Sequence, residues 1–276
     1  MSFLYKSMVI IPLRLLCKSL KKQDYYCQKL AIKSMKLLRR SPVEIHPKHL
    51  YDDKRSILLE KFSSQYEPGV FLDLGSGSGG DVIAMADKGW KSIGLEYISE
   101  NITRSKIMSM KSSLLCDFKK HNLEQIPYPI SSETVTIVNF INVIEHLYNR
   151  QGALSEVKRM LTPDGICIIS APNSDTLWKR LQRFVGMDSR DDIDHKIEYT
   201  KKELEKELAT SDLELATPLI GTVPSFPFHG FFSLSAAFSP SLYKQFQKLK
   251  YFLVRCRVVD TVGWVFAVQK KRKKDR

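Results

Sequence analysis

Residues 70–81 read VFLDLGSGSGGD: an apolar run, an acid, then glycines at 75, 77 and 80 in the spacing G-x-G-x-x-G. Such a run is a buried strand that turns sharply into a helix, with backbone N–H groups placed to approach a ligand closely. The junction constrains the rest of the chain, because a strand buried on both faces needs helices above and below it. The downstream patterns supply them. Strands are expected over residues 70–74, 92–96, 113–117, 134–140 and 165–170, and helices over 79–88, 99–110, 151–161 and 201–210. Thr162-Pro-Asp-Gly165 reads as a plain turn. Residues 213–219 and 262–268 bring the set to seven strands, so the fold class is α/β, a doubly wound, mostly parallel sheet.

The loop selects its ligand by charge. A dinucleotide diphosphate would sit on the helix N-terminus, but here Asp73 ends the strand and Asp81 enters the first helical turn. Two carboxylates repel a diphosphate and suit a ligand with a cationic end, such as S-adenosylmethionine. Glu96 ends the second strand, where a carboxylate can accept both hydroxyls of a ribose. Asp117-Phe118 is expected to end the third, with Asp117 accepting from an adenine amino group and Phe118 packing on the ring. In a parallel sheet these ends share the ligand-bearing edge.

With VFLDLGSGSGGD, IGLEYI, LLCDF, NFINVIEHL, EVKRMLTPDGICIISAPN and DIDHKIEYTKKELEKEL, the chain resembles class I S-adenosylmethionine-dependent methyltransferases over about residues 42–270. The likeness is greatest to the small-molecule branch of ubiquinone/menaquinone-pathway and glycolipid-type enzymes. The resemblance implies a Rossmann-like methyltransferase fold with a final antiparallel strand at VGWVFAVQ. It also implies that Asp73, Gly75, Ser76, Gly77, Glu96, Tyr97, Asp117 and Phe118 line the cofactor, with Asn139 or Phe140 beside its methionine part.

Methyl transfer from a sulfonium is an in-line displacement, so the protein must align the acceptor and take its proton. Glu145-His146 follows the fourth strand, and His146 is the expected general base. His195 is a second candidate, with Tyr199 one helical turn on as part of an acceptor wall. In quinone-pathway relatives an acid three positions before the equivalent Glu can join a metal site. Asn142 stands there in this chain, so no metal is expected. His46, His49, His121 and His229 show no partner pattern.

Charge divides the chain unevenly. Of the net +13, residues 1–50 hold 11 Lys/Arg against Asp24 and Glu44, and residues 269–276 hold six against Asp275. The stretch between is near neutral. The expected organisation is a basic amphipathic helical extension over 1–50 and a catalytic domain over 51–270. The latter includes an insertion at 222–258 acting as acceptor lid, and a basic tail follows at 271–276. In the extension Cys27, Leu30, Ala31, Met35 and Leu38 share one face from Gln23 to Arg40. Lys29, Lys33, Lys36 and Arg40 share another. Such basic arms suit an anionic membrane surface. Pro218, Pro224, Pro227 and Pro240 break the uncharged stretch 215–243, so it is not a span. Five scattered cysteines point to neither zinc nor a disulfide framework and favour a cytoplasmic compartment, where the basic arms would place the protein peripherally on the membrane.

The acceptor is expected to be a hydroxyl, or an amine, of a small lipid-like, quinone or lipid-linked-sugar molecule. Phe226, Phe228, Phe231, Phe232, Phe238 and Tyr243 would supply its apolar walls. The alternatives are an RNA or protein methyltransferase gripping a polyanion with its arms and a non-catalytic cofactor-binding subunit. The absence of an appended RNA-binding module speaks against nucleic acid.

Overall fold

The computed structural model describes residues 9–40, 56–110, 116–225 and 229–271. Contacts divide the chain into two units. The sheet unit comprises Lys54–Pro172, Asp194–Ile220 and Trp264–Arg276, and the helical unit comprises Met1–Asp53, Asn173–Ile193 and Gly221–Gly263.

In the sheet unit, β1 (Val70–Leu74) leads through α2 (Gly80–Asp87) to β2 (Lys91–Glu96), and α3 (Ser99–Ser109) leads to β3 (Cys116–Lys120). After β4 (Val135–Phe140) come a 3-10 turn (Ile144–His146), α4 (Arg150–Met160) and β5 (Leu161–Pro172). Further on lie α6 (Lys201–Thr210), β6 (Leu213–Leu215), β7 (Ile220–Gly221) and β8 (Gly263–Lys270). The strand order is β3-β2-β1-β4-β5-β8-β6, with β7 pairing β8 off that path. β1, β2, β3, β4 and β5 pair in parallel, while β6 and β8 are antiparallel. The expected doubly wound sheet with an antiparallel final strand is present. The strand expected over 213–219 is only β6, at Leu213–Leu215, and the short β7 lies just beyond that stretch at Ile220–Gly221.

Alternation along the strands sorts side chains between two cores. Leu72, Leu74, Val138 and Phe140 face one, while Phe71 and Ile137 face the other with Val82, Met85 and Phe118. Each such side chain contributes roughly 1.5–3 kcal/mol by leaving water. The expected turn at 162–165 lies within β5. Val135 pairs with Leu161 and Ile137 with Ile166, so the four residues bulge from the ladder.

The helical unit holds α1 (Ile11–Leu37), α5 (Leu177–Phe184), α7 (His229–Phe238) and α8 (Pro240–Arg255). Pro12 sits in the first turn of α1, where its missing N–H is no loss. The helix therefore starts well before Gln23, and α7 packs against both α1 and α8. Cys17, Ala31 and Met35 are its buried residues. Leu30 and Leu38, expected to share a face with Ala31 and Met35, are each more than half exposed. The Asp24 carboxylate accepts from the Gly230 N–H at 2.5 Å. Residues 1–8, 41–55, 111–115, 226–228 and 272–276, with His46, His49, Phe226, Phe228 and the side chain of His229, lie outside the described residues. No described helix is long and apolar enough to cross a membrane.

Candidate active site

The register that pairs Asp73 with Asn139 across β1 and β4 puts a carboxylate beside an amide at the carboxyl edge of the sheet. Asn139 Nδ2 donates to Asp73 Oδ1 at 2.8 Å and to Asp81 Oδ2, from the first turn of α2, at 3.2 Å. Asp73 and Asn139 are both buried. Glu96, at the end of β2, holds the glycine loop in place. Its Oε2 accepts from the Gly77 N–H at 2.7 Å, and its Oε1 accepts from the N–H groups of Tyr97 and Ile98 at 2.8 and 2.7 Å. The N–H groups of Gly75 and Ser76 both donate to the Leu95 carbonyl.

The loop needs its glycines for two reasons. Gly75, Gly77 and Gly79 all have positive φ, the region that side chains other than glycine rarely occupy. A Cβ at Gly75 would meet Val143 Cγ2 at 2.7 Å, and one at Gly79 would meet the Phe118 ring at 2.6 Å. Gly79, rather than Gly80 of the motif, takes the left-handed conformation before α2. Two buried atoms beside this loop, Ser76 Oγ and Asn139 Oδ1, have no hydrogen-bond partner. An unmet buried polar atom costs about 1–3 kcal/mol. Carboxylates on either side and an amide oxygen lacking a donor fit a ligand rich in donors and carrying positive charge.

Three expected cofactor residues are elsewhere. β3 runs over Cys116–Lys120, so Asp117 is its second residue and pairs with Ile93, three rungs short of Glu96. At about 3.3 Å per residue it stands roughly 10 Å back from the edge, exposed and 3.6 Å from the Lys119 ammonium. Residues 113–115, where the strand was expected to begin, lie outside the described residues. Phe118 is buried beneath Gly79 and Gly94, so neither face of its ring is open to an adenine. Phe140 is wholly buried in the core, because adjacent strand residues face opposite ways and Asn139 takes the other side. The residues at the β3 edge are Lys120, His121 and Asn122, and the ladder continues through the His121 N–H, which donates to the Glu96 carbonyl. Sequence reading passed over Asn122. Its only signal is position, two residues beyond the last strand residue.

Val143, packed over Gly75, carries the chain from the cradle into the 3-10 turn. There Glu145, His146 and His195 come together, with their metal-competent atoms all within 4.8 Å of one another. The Lys196 and Ile197 N–H groups donate to the Glu145 carbonyl at 2.7 and 3.3 Å, which ties the distant segment down. The rings of His146 and His195 meet edge to face with centroids 5.0 Å apart, and His195 Nδ1 lies 2.9 Å from Glu198 Oε1. Burial, aided by the nearby Glu198 and opposed by a backbone hydrogen bond and His195, lifts the Glu145 carboxyl to about 7. Its Oε2 has no hydrogen-bond partner.

No metal is expected from the sequence, because Asn142 is not an acid. Asn142 has a φ of 54° and Ser170 Oγ donates to its Oδ1 at 3.1 Å, so its side chain is already engaged. His195 nevertheless supplies a third donor from another segment. The set of one carboxylate and two imidazoles therefore has the chemistry to hold a divalent ion. Tyr199, expected in an acceptor wall, is wholly buried in the core. Burial pushes its hydroxyl far above the usual range.

Among proteins of known name, a "Probable S-adenosylmethionine-dependent methyltransferase" of Mycolicibacterium smegmatis is 30% identical over 148 residues, 54% of this chain and 53% of that protein. A "Ubiquinone biosynthesis O-methyltransferase" of Bradyrhizobium diazoefficiens is 30% identical over 108 residues, 39% of this chain and 41% of that one. The chain thus spans about half the length, or less, of these curated relatives. Among solved structures, geranyl diphosphate C-methyltransferase from Streptomyces coelicolor, in complex with Mg2+, geranyl diphosphate and S-adenosyl-L-homocysteine, shares the fold. The TM-score is 0.55 at 14% identity, over 79% of this chain and 80% of that one. The family described as "Methyltransferase domain" matches residues 67–219, more than half of the chain and the whole of the cradle and the Glu145-His146-His195 cluster. The chain belongs to that methyltransferase-domain family.

Proposed function

We propose that the chain transfers the methyl group of S-adenosylmethionine to a hydroxyl, or an amine, of a small lipid-like, quinone or lipid-linked-sugar acceptor. The observation that carries this reading is the cradle at the ends of β1, β2 and β4. Asp73, Asp81 and Glu96 surround a glycine loop, with Asn139 Oδ1 and Ser76 Oγ short of donors. An ammonium group meets the first need and ribose hydroxyls can bond to Glu96, whereas a diphosphate meets neither.

Bound there, S-adenosylmethionine supplies an activated methyl group. The side chains hold the two ends of the cofactor, keep water away and accept a proton. Asp73 and Asn139 orient the ammonium end, and Glu96 with Tyr97 bounds the ribose. His146 would take the acceptor's proton as the methyl group passes from the sulfonium sulfur, whose C–S bond breaks, to the acceptor oxygen, with His195 and its Glu198 partner positioning the ring. The names of the ubiquinone-pathway relatives support the acceptor class. The test is incubation of methyl-labelled S-adenosylmethionine with the protein and a cell extract, with Asp73→Ala as blank. Protein-dependent label in the lipid fraction supports the acceptor class, while label confined to RNA or protein overturns it.

A further inference from the structure

The helical unit carries the charge of the molecule. Its stretches hold 20 Lys/Arg against 9 Asp/Glu, which is +11 of the chain's +13. The two long helices display that charge in the same way. On α1 the inward stripe is Cys17, Ala31 and Met35. The outward side has an apolar stripe of Leu15, Tyr26, Leu30 and Leu37, all more than half exposed, and Leu37 is 84% exposed. Their spacings of 11, 4 and 7 residues keep them on one line along a helix. Beside that line run Lys18, Lys22, Lys29, Lys33 and Lys36, also at helical spacing and exposed.

On α8 the pattern repeats. Tyr243 and Lys250 face inward, and Leu242, Leu249 and Phe252 form an exposed apolar line, with Phe252 58% exposed. Lys244, Lys248 and Arg255 stand beside it. α7 adds two exposed rings seven residues apart, Phe231 and Phe238. A helix packed in a water-soluble body needs one apolar stripe. These two have a second stripe facing away from the first, each flanked by cations.

We propose that the outward faces of α1 and α8 lie on an anionic phospholipid bilayer, with leucine, tyrosine and phenylalanine side chains in the headgroup–acyl boundary and the lysines on lipid phosphates. No described helix can cross the bilayer, so the contact is in the plane of the interface. Long lysine stems follow the apolar line while their ammonium groups reach the headgroups. Charge complementarity selects this occupant. A nucleic acid would use the cations but leave the apolar stripes in water, whereas a bilayer rich in anionic lipid takes both.

The experiment is co-sedimentation of the full chain with vesicles of phosphatidylcholine alone and of phosphatidylcholine doped with phosphatidylglycerol. Binding is read directly, without methyl transfer, so it stands apart from the acceptor assignment. Binding is expected only to the anionic vesicles. Lys18→Ala and Lys22→Ala should each weaken it on the order of fivefold, and Leu30→Glu and Leu249→Glu should weaken it at least as much. All four positions are exposed, and unchanged circular dichroism verifies folding. Equal binding to both vesicle types, or none to either, overturns the proposal. So does tighter binding to a single-stranded RNA homopolymer that the two Leu→Glu changes leave intact.

Discussion

Asp73 is a buried carboxylate that accepts from the neutral amide of Asn139, and a cationic ligand would match its charge. Asp73→Asn keeps the shape and removes the charge. Affinity for S-adenosylmethionine, measured by isothermal titration calorimetry, should fall about 10–100-fold, as expected for one charge-assisted hydrogen bond. His146→Ala should instead leave that affinity unchanged while lowering the rate of methyl transfer by about 10²–10⁴-fold. Single-turnover rates with saturating cofactor separate the two. Asp73 and Glu96 were legible in the sequence because an apolar run fixes where each strand ends. The meeting of His146 with His195 was not, because it depends on backbone N–H groups of Lys196 and Ile197 finding the Glu145 carbonyl. No local pattern encodes that tie.

Among the elements, the glycine loop and β3 show where local pattern is strong and where it misleads. The loop is legible at Gly75 and Gly77, where positive φ demands glycine, while its third required glycine is Gly79 and not Gly80. Gly79→Ala meets both obstacles, a φ of 76° and the Phe118 ring. It should destabilise the protein by about 1–3 kcal/mol in urea unfolding. β3 is the terminal strand of the sheet, and edge strands often carry lysine, which blunts pairing with other chains. Its sequence Cys-Asp-Phe-Lys-Lys therefore lacks the apolar character of β1 and β4, and the neighbouring leucines drew the expected strand toward the N-terminus. The consequence can be measured. Asp117→Ala, back from the edge and exposed, should change stability by less than about 0.5 kcal/mol and leave cofactor affinity unaltered.

At the scale of the whole molecule, the doubly wound, mostly parallel sheet was legible from the alternation of strands and helices, but the helical unit was not. Its stretches lie far apart in sequence, and α1 and α8 each have two apolar stripes, so periodicity alone grouped the exposed Leu30 and Leu38 with the buried Ala31 and Met35. Within the unit, burial lowers the Lys250 ammonium to about 8 from 10.5, against the opposing pull of Asp24. The Phe232 ring lies 4.6 Å beneath it. Between those two values the unfolded chain binds more protons than the folded one, so this group makes stability rise with pH. The gain is on the order of 3 kcal/mol across the window. Lys250→Met should lose it, and the difference in unfolding free energy between parent and variant, followed from pH 7 to beyond 10.5, should shift in the parent's favour.

The contact of Asp24 with Gly230 also sets an order of events in the making of the protein. α1 leaves the ribosome well ahead of α7, the helix that packs against it, which is some two hundred residues behind. At about 5–20 residues per second, that is an interval of roughly 10–40 s. For that interval the nascent chain displays a helix-forming segment with both apolar stripes uncovered and seven cations. The sheet unit, whose β1 to β5 are consecutive, can assemble meanwhile. The helical unit thus closes late around a helix made early, and β8, which follows α8 in the chain and lies between β5 and β6, joins the sheet later still.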